Sequence, residues 1–420
     1  MNLREKRGGS ILYTDYYRKY AGVLIRAALD LQPGEVLVIN AAPWDCEFVR
    51  TVTETAYEAG AAYVRCDYVD PEEDRQRCLH SREEYLDYYP EWVTDYMCSY
   101  AEQGVAILDL LPPVFGAADS VLTEKLASVR KLRARSGDRY NKARSAKGVT
   151  WVKSSLPSVG WAETVYPGLK GEEAVQKLWE ALIPILRLDR EDPVQAWQEH
   201  KRGLQEKKTA LDAMNLRKLR FEGPGTELTV ELAENSGWTG GCDMNKRTGR
   251  EYIPNIPTEE LFAAPHKHRI NGTVAATMPL NYNGSLIEGM RLVIKDGRVV
   301  EYGADSGLEA LKGILETDEG SRYFGETALV AVTSPIYQTG TIYYNTILDE
   351  NAVCHMALGR ALTSGVPGAS SMTEEELENA GLNQCSIHVD FMIGSEELKV
   401  TAEDGNGTSV VLMERGTWKI

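Results

Sequence analysis

A regular alternation of strand-like and helix-like segments in the first half of the chain limits the folds that it can adopt. Residues 35–40 (EVLVIN) and 61–69 (AAYVRCDYV) are β-rich runs, and residues 48–60 between them repeat apolar side chains at helical spacing. A third apolar run follows at 105–111 (VAILDLL). A strand, a helix and a strand in such close succession form a βαβ unit, which predicts a parallel sheet covered by helices.

The second half of the sequence has a different character, because β-type runs replace this alternation. Two helices are predicted within residues 171–213, and beyond them residues 290–302 place an Asp-Gly pair between two alternating runs, which predicts an antiparallel hairpin. A chain of 420 residues also exceeds the size at which a single hydrophobic core usually stops growing. We therefore predict an α/β domain with a parallel, Rossmann-like sheet at 1–215 and a mixed α+β, β-rich domain at 216–420.

The charge balance argues against two classes of partner. The chain has 62 acidic and 46 basic side chains, for a net charge of −16. Nucleic acids and anionic membranes are bound through a basic face, so neither is expected as a partner. We find no stretch of signal-peptide or membrane-span character. The seven cysteines are scattered without a CxxC pair, which is typical of reduced thiols and predicts a cytoplasmic location.

The most suggestive side chains lie in the second half, and the sharpest pair is His388 and Asp390 in SIHVDF. Positions two apart on an extended strand share a face, so both side chains would point into one space. Such a pair either binds a metal or forms a structural hydrogen bond, and the spacing alone does not separate the two. His266 and His268 have the same spacing, but the Lys and Arg around them indicate exposed strand residues.

A second cluster lies in the segment LDENAVCHMALG. Asp349 is predicted as the N-cap of a helix that carries His355 about two turns further on. Glu350 and His355 are five residues apart, which on a continuous helix would turn them roughly 140° away from each other. They can meet at one site only if Glu350 belongs to the loop that enters the helix. The alternative is a capped helix with one core histidine.

Two further carboxylates have apolar surroundings. Glu260 precedes an apolar pair, and Glu326 opens the apolar run TALVAV, where a buried charge needs a partner. Each carboxylate is weak evidence alone, but the whole set supplies enough ligands for two divalent ions that share a carboxylate. Such mixed oxygen and nitrogen sites suit zinc, cobalt or manganese. The candidate ligands are Glu260, Glu326, Glu350, His355, His388 and Asp390.

At these segments the sequence resembles the aminopeptidase T, aminopeptidase S and PepS family of metallo-aminopeptidases. The similar segments occur in family order and cover most of residues 150–400, so the chain is identified as a member of this family. The segments are SSLPSVGWAETVYPG (154–168), DPVQAWQEHKRGL (192–204), NIPTEELFAAP (255–265), NGTVAATMPLNYNG (271–284), YFGETALV (323–330), YNTILDENAVCHMALGRA (344–361) and SIHVDFMIGS (386–395).

The resemblance implies a co-catalytic centre of two divalent metal ions in a catalytic C-terminal domain. Five side chains fall on the family's metal-ligand positions, namely Glu260, Glu326, His355, His388 and Asp390. Glu350 falls on an acidic position near the metals, as a ligand or a general base, and either Glu350 or Glu326 is expected to move the proton to the leaving amine.

The resemblance also implies the substrate and the assembly. The expected reaction is removal of the amino-terminal residue of a short peptide by a water that two metal ions activate. The family forms dimers whose active sites open into an enclosed cavity. We therefore expect a homodimer that acts on short peptides with a free amino terminus.

One position departs from the family. Leu362 stands where the family's helix reads on to a tyrosine that is thought to support catalysis. Loss of one oxyanion donor typically costs about 10²–10³ in rate. Tyr343 or Tyr344 is a candidate substitute for the missing phenol.

Two alternative functions are compatible with the same residues. A ring-cleaving dioxygenase group on the related fold uses a mononuclear iron, which would need only His355, His388 and Asp390. Glu260 and Glu326 would then be superfluous, so their presence favours hydrolysis. The missing tyrosine suggests a weakly active or non-catalytic peptide-binding homologue as the second alternative.

Overall fold

The chain folds into two compact units in the computed structural model. The structure describes residues 14–70, 72–113, 120–282 and 284–420. The first unit combines the described part of Met1–Lys201 with Met244–Pro257, and the second combines Arg202–Asp243 with Thr258–Ile420. This division does not test the domain boundary near residue 215, which stays a prediction.

Helices are concentrated in the first unit. The α-helices of the described residues are α1 (Thr14–Gly22), α2 (Cys46–Glu58), α3 (Glu73–His80), α4 (Glu91–Gln103), α5 (Ser120–Lys147), α6 (Val159–Val165), α7 (Gly171–Ile185), α8 (Pro193–Ala213), α9 (Leu308–Leu315), α10 (Thr346–Asp349) and α11 (Glu374–Asn379). A π-helix, Val23–Ala28, continues α1, and 3₁₀ turns occupy Pro43–Asp45, Glu83–Tyr85, Glu319–Arg322, Tyr337–Thr339 and Ala369–Ser371. None of the helices described here has both the length and the apolar character that a membrane crossing needs.

A parallel sheet forms the centre of the first unit. Its strands are β1 (Val36–Ala41), β2 (Tyr63–Tyr68), β3 (Ala106–Leu110) and β4 (Trp151–Ser154), in the spatial order β2-β1-β3-β4. All three strand pairs are parallel, and α2 connects β1 to β2, which confirms the predicted βαβ unit. Leu37, Val38 and Ile39 are consecutive buried residues of β1, as expected for a strand that is covered on both faces.

The second unit is built mainly from antiparallel strands. The remaining strands are β5 (Leu216–Gly223), β6 (Thr226–Leu232), β7 (Asp243–Met244), β8 (Glu251–Tyr252), β9 (Leu261–Ala263), β10 (Pro265–Ala275), β11 (Leu280–Tyr282), β12 (Ser285–Ile287), β13 (Arg291–Lys295), β14 (Arg298–Gly303), β15 (Phe324–Leu329), β16 (His355–Gly359), β17 (His388–Met392), β18 (Lys399–Asp404), β19 (Ser409–Glu414) and β20 (Thr417–Trp418). Of these, β8 and the last residue of β7 belong to the first unit. One sheet has the order β14-β13-β10-β6-β5-β18-β19-β20, and a second has the order β17-β16-β15-β9.

The predicted hairpin is confirmed between β13 and β14, which pair antiparallel. Asp296 and Gly297 at the turn have φ angles of 50° and 79°. Two consecutive residues with positive φ are what the tightest hairpin turns require, and Asp-Gly is a preferred pair there.

One continuous core joins the two large sheets of the second unit. Phe221 of β5 and Val230 of β6 belong to the same buried cluster as Met356 of β16 and Phe391 of β17. Side chains alternate between the two faces of a strand. The residues on either side of Met356 and Phe391 therefore point away from this core, toward the opposite face of the second sheet.

One predicted element is wrong. Asp349 does not cap a helix that reaches His355, because α10 starts after Asn345, ends at Asp349, and is followed by a turn before His355 begins β16. The two carboxylate oxygens of Asp349 accept the backbone N–H groups of Tyr343 and Asn345, at 2.8 and 3.1 Å. The carboxylate thus holds the turn that enters α10. Leu362 accordingly follows a strand, not a helix.

Candidate metal centre

The register of the four-stranded sheet places acidic and imidazole side chains together. Glu326 on β15 lies opposite Ala357 on β16, and Ala357 lies opposite Asp390 on β17. Directly opposed residues of antiparallel strands share a face, so both carboxylates point to one side with only a methyl group between them. His355 and His388 each precede a member of this row by two residues and therefore face the same side.

The first group of donors consists of Glu260, Glu326 and His355. Glu260 lies immediately before β9, and its Oε2 is 3.2 Å from His355 Nε2, while Glu326 Oε1 is 3.6 Å from the same nitrogen. The three residues are 7%, 3% and 1% exposed, respectively. Glu259 is only half-buried, as expected when neighbouring residues of an extended segment face opposite ways.

The second group consists of Glu326, His388 and Asp390. His388 Nε2 lies 3.0 Å from Glu326 Oε2 and 3.2 Å from Asp390 Oδ1. The prediction that His388 and Asp390 point into one space is confirmed. Glu326 contributes one carboxylate oxygen to each group, so it lies at the junction of the two.

Backbone carbonyl groups orient both imidazole rings. His388 Nδ1 is 2.7 Å from Arg360 O, and His355 Nδ1 is 3.4 Å from Val353 O. When Nδ1 carries the proton and donates it to a carbonyl, the lone pair of Nε2 faces the carboxylates. This is the tautomer in which histidine binds a metal, and such outer hydrogen bonds raise its basicity.

Burial, hydrogen bonds and interactions between opposite charges together shift the pKa values inside the cluster. Burial alone would lower the pKa of His355, but hydrogen bonds to Glu260 and Glu326 outweigh it and raise this pKa well above its ordinary value. Asp390 and Glu326 raise the pKa of His388 in the same way, against the effect of burial. Burial raises the pKa of Glu260. For Asp390 the effect of burial is outweighed by His388, and the pKa falls.

Glu350 lies at the edge of the cluster. It follows α10 and is 9% exposed. Burial, together with the negative charges of Asp390 and Glu260, raises the pKa of Glu350 well above its ordinary value. Glu350 lies in a turn and shares no helix with His355. The helical geometry that would turn the two side chains away from each other is therefore absent.

The donor set fits divalent cations in spacing and in charge. Two ligands that each lie about 2.0–2.2 Å from one cation are about 3.0–3.5 Å apart, and the nitrogen–oxygen distances here are 3.0–3.6 Å. Asp390 Oδ1 is buried and, apart from its contact with His388, has no hydrogen-bond partner in the described part of the chain. The four carboxylates, when ionised, carry four negative charges, which two divalent ions would balance.

The structure brings together five of the six predicted metal ligands, and Glu350 belongs to neither of the two ligand groups found among the described residues. Glu260, Glu326 and His355 form one possible ligand group among the described residues, and Glu326 forms the other with His388 and Asp390. His266 and His268 lie on β10, with half-buried and exposed side chains, and belong to neither group. They are strand residues, as the sequence indicates.

Sequence reasoning missed two side chains that shape this site. Asn351 is fully buried directly after Glu350, and Asn383 is fully buried beyond α11. Asn383 Nδ2 donates to the carbonyl oxygens of Gly320 and Gly359, at 2.8 and 2.6 Å, next to the Arg360 carbonyl that holds His388. An asparagine between an acidic residue and an apolar run is the signal that could have drawn attention to Asn351.

A face of a sheet that carries buried carboxylates and imidazoles, in two groups with one shared glutamate, is typical of the metal-binding site of an enzyme. The chain belongs to the thermophilic metalloprotease (M29) family, whose profile matches residues 14–418. This confirms the family that the sequence resembles.

Similar proteins support the same conclusion. Aminopeptidase 2 of Geobacillus stearothermophilus is 39% identical over 400 residues, which is 95% of this chain and 97% of that protein. Aminopeptidase AmpS of Bacillus subtilis is 34% identical, with 95% and 97% of the two chains covered. The solved structure of wild-type AmpT from Thermus thermophilus superposes with a TM-score of 0.88 at 37% identity and covers 97% of this chain and 100% of that one.

The protein is therefore a metallo-aminopeptidase, a hydrolase that acts on peptide bonds and depends on divalent cations. The comparisons favour neither the dioxygenase nor the non-catalytic alternative.

Proposed function

We propose that the enzyme uses two divalent ions, bound on either side of Glu326, to remove the amino-terminal residue of short peptides. The single observation that carries this proposal is the position of the Glu326 carboxylate, whose two oxygens face His355 and His388, respectively. A carboxylate that bridges two ions presents its oxygens in this way. Glu260 and His355 would hold one ion, and His388 and Asp390 the other.

When bound, a pair of such ions polarises a carbonyl oxygen and lowers the pKa of water toward neutrality. The residues of the chain do the rest. Glu350 is a buried carboxylate that is close enough to Asp390 and Glu260 to be influenced by their charges. As a general base it would accept a proton from the attacking water and return it to the leaving amine. The free amine of the substrate, in its neutral form, would be a nitrogen ligand for one of these ions, which supports selectivity for peptides with a free terminus.

Zinc, cobalt or manganese suits this mixed set of oxygen and nitrogen donors. The enzyme acts as a homodimer in the cytoplasm, a part of the proposal that rests on the family resemblance and on the scattered cysteines. The net charge of −16 supports the expectation that neither nucleic acid nor an anionic membrane is a partner.

The test is a hydrolysis assay on purified enzyme with two matched substrates. The enzyme is stripped with a chelator, reloaded with zinc, cobalt or manganese, and assayed with an aminoacyl-nitroanilide and with its N-acetylated form. We expect activity only after reloading and only on the free amine.

Two variants connect this activity to the proposed ligands. His388→Ala and Asp390→Ala should each lose metal and hydrolysis together. Hydrolysis that persists in either metal-free variant, or equal cleavage of the acetylated substrate, would disprove the proposal.

A further inference from the structure

Asn351 is a fully buried amide that contacts two parts of the proposed metal centre. Its Oδ1 accepts the backbone N–H of Glu259 at 2.7 Å. Its Nδ2 donates to the Ile347 carbonyl at 2.9 Å and lies 3.4 Å from Glu350 Oε1. The side chain is 0% exposed. Both ends of the amide are thus engaged, one with the segment that carries Glu260 and the other with Glu350.

These contacts match the chemistry of an amide. The side chain at position 351 accepts a hydrogen bond at one end and donates at the other, and a carboxamide does this from two separate atoms. Aspartate offers acceptors alone, and leucine offers neither. Loss of one partner would leave the Glu259 N–H or the Ile347 carbonyl buried without its hydrogen bond.

The contact with Glu350 makes its two carboxylate oxygens unequal. Asn351 Nδ2 lies near Oε1, so Oε2 is the oxygen left for the reaction. The contact with Glu259 fixes the backbone directly before Glu260, which contacts His355 at 3.2 Å. Asn351 therefore links Glu350, the proposed proton carrier, to the segment that carries Glu260, a proposed ligand about 90 residues earlier in the sequence.

We infer that Asn351 is a positioning residue of the active site, which acts through Glu350 on the proton transfer and through the Glu259 backbone on the metal site. This inference rests on the proposed role of Glu350. Outer-shell partners of this kind typically change activity or metal affinity by about 10–100-fold when they are removed.

A double-mutant cycle between Asn351 and Glu350 tests the inference. In the holoenzyme, Asn351→Leu should lower kcat by about 10–100-fold with little change in KM. In the Glu350→Gln background the same substitution should lower kcat by less than about threefold, because the group through which Asn351 acts is already gone.

Zinc affinity, measured by competition with a chromophoric chelator, gives a readout that does not depend on activity. Asn351→Leu should weaken zinc binding by about 10-fold, and this loss should persist in the Glu350→Gln background, because it arises at the Glu260 side. If Asn351→Leu does not fold, Asn351→Ala carries the same cycle and the same zinc measurement, because it removes both contacts of the amide without adding volume.

Asn245 provides the matched control. It is a buried asparagine of the first unit whose Nδ2 donates to Thr150 and whose Oδ1 accepts two backbone N–H groups. Asn245→Leu should lower thermal stability and leave zinc affinity and kcat per folded molecule unchanged.

The outcomes separate the inference from the proposed function. A wild-type kcat in Glu350→Gln alone would overturn the role of Glu350 and the inference with it. A lowered kcat in Glu350→Gln with fully additive effects of the two substitutions would overturn only the inference. Unchanged zinc affinity in every folded Asn351 variant would overturn the part that concerns the Glu259 backbone.

Discussion

At the scale of single residues, the site depends on groups that are held in place by backbone atoms. Arg360 O fixes the ring of His388, and the backbone N–H groups of Tyr343 and Asn345 fix the carboxylate of Asp349. Tyr344 lies between Tyr343 and Asn345 in the sequence and adopts a φ of 53°. Such a conformation is uncommon for a bulky residue and is often found at functional sites.

Tyr344 and its neighbour offer a test of what replaces the family tyrosine at Leu362. The Tyr343 hydroxyl donates to Thr339 Oγ1 at 3.0 Å inside the core, so it is engaged elsewhere. Tyr344 is half-buried in the segment that leads to Glu350. We expect Tyr344→Phe to lower kcat by about 10²–10³, the cost of one oxyanion donor.

The control for this prediction is Tyr343→Phe. It should cost about 1 kcal/mol of stability through its lost hydrogen bond and change kcat less than about twofold. Steady-state kinetics on both variants decides the matter, and equal kcat values for the two would exclude a role for the Tyr344 phenol.

Residue-scale prediction from the sequence succeeded where one element alone sets the geometry. His388 and Asp390 share a face because strand side chains alternate, and this requires no knowledge of the rest of the fold. The relation between Glu350 and His355 was not predictable in this way. Asp349 binds backbone groups of the preceding turn, and the helix ends after four residues instead of continuing to His355.

At the scale of elements, the spacing of the site depends on the small residue at the centre of β16. Ala357 is fully buried between Glu326 and Asp390 in the strand register. Ala357→Val would place two further methyl groups where the carboxylates converge. We expect this variant to lose metal binding and activity while all proposed ligands remain present, as measured by metal content and hydrolysis.

Ala402 on β18 is the matched control, because it is equally buried in the other large sheet. Overpacking typically costs about 1–3 kcal/mol, so both variants should lose stability. Only Ala357→Val should lose metal. Full metal content in a folded Ala357→Val protein would show that the space between the carboxylates is not needed.

The entry into β17 depends on Asp318. Its carboxylate accepts the backbone N–H of Ser386 at 2.8 Å and also contacts Cys385 Sγ at 3.0 Å. Burial alone would raise the pKa of Asp318, but hydrogen bonds from Cys385, Ser386 and Ser321 outweigh it and lower this pKa from 3.8 to about 2. Because the pKa is lower in the folded state than in the unfolded state, the ionised carboxylate stabilises the fold at every pH above the unfolded-state pKa. This contribution disappears as the pH falls toward 2.

Urea unfolding of the metal-free wild type and of Asp318→Asn tests this contribution. The wild type should be the more stable of the two at pH 6, and the difference should shrink between about pH 4 and pH 2, because only the wild type loses an ionised group there. A difference that stays constant over the pH range in which both proteins fold would contradict the assignment.

At the scale of the whole molecule, the parallel sheet was predictable and the arrangement of the second unit was not. The βαβ pattern is local, so the alternation of short segments reveals it. In the second unit, β9 pairs with β15 and β17 pairs with β16, across long stretches of sequence. Their pairing follows from the packing of one common core, and the sequence indicated it only through the family resemblance.

Metal removal should change the stability of the folded chain. A ligand that binds only the native state stabilises it by about 2.7 kcal/mol at a concentration of 100 times its Kd. For a unit of this size we expect zinc to raise Tm by about 5–10 °C relative to the chelated protein. Differential scanning fluorimetry measures this shift, and an equal shift in His388→Ala would mean that zinc binds elsewhere.

Anomalous diffraction from crystals of the zinc-loaded enzyme would locate the bound ions directly. We expect two peaks about 3.5–4 Å apart, one beside Glu260 and His355 and the other beside His388 and Asp390, with Glu326 between them. A single ion in this cluster, or two ions bound by other side chains, would contradict the proposal.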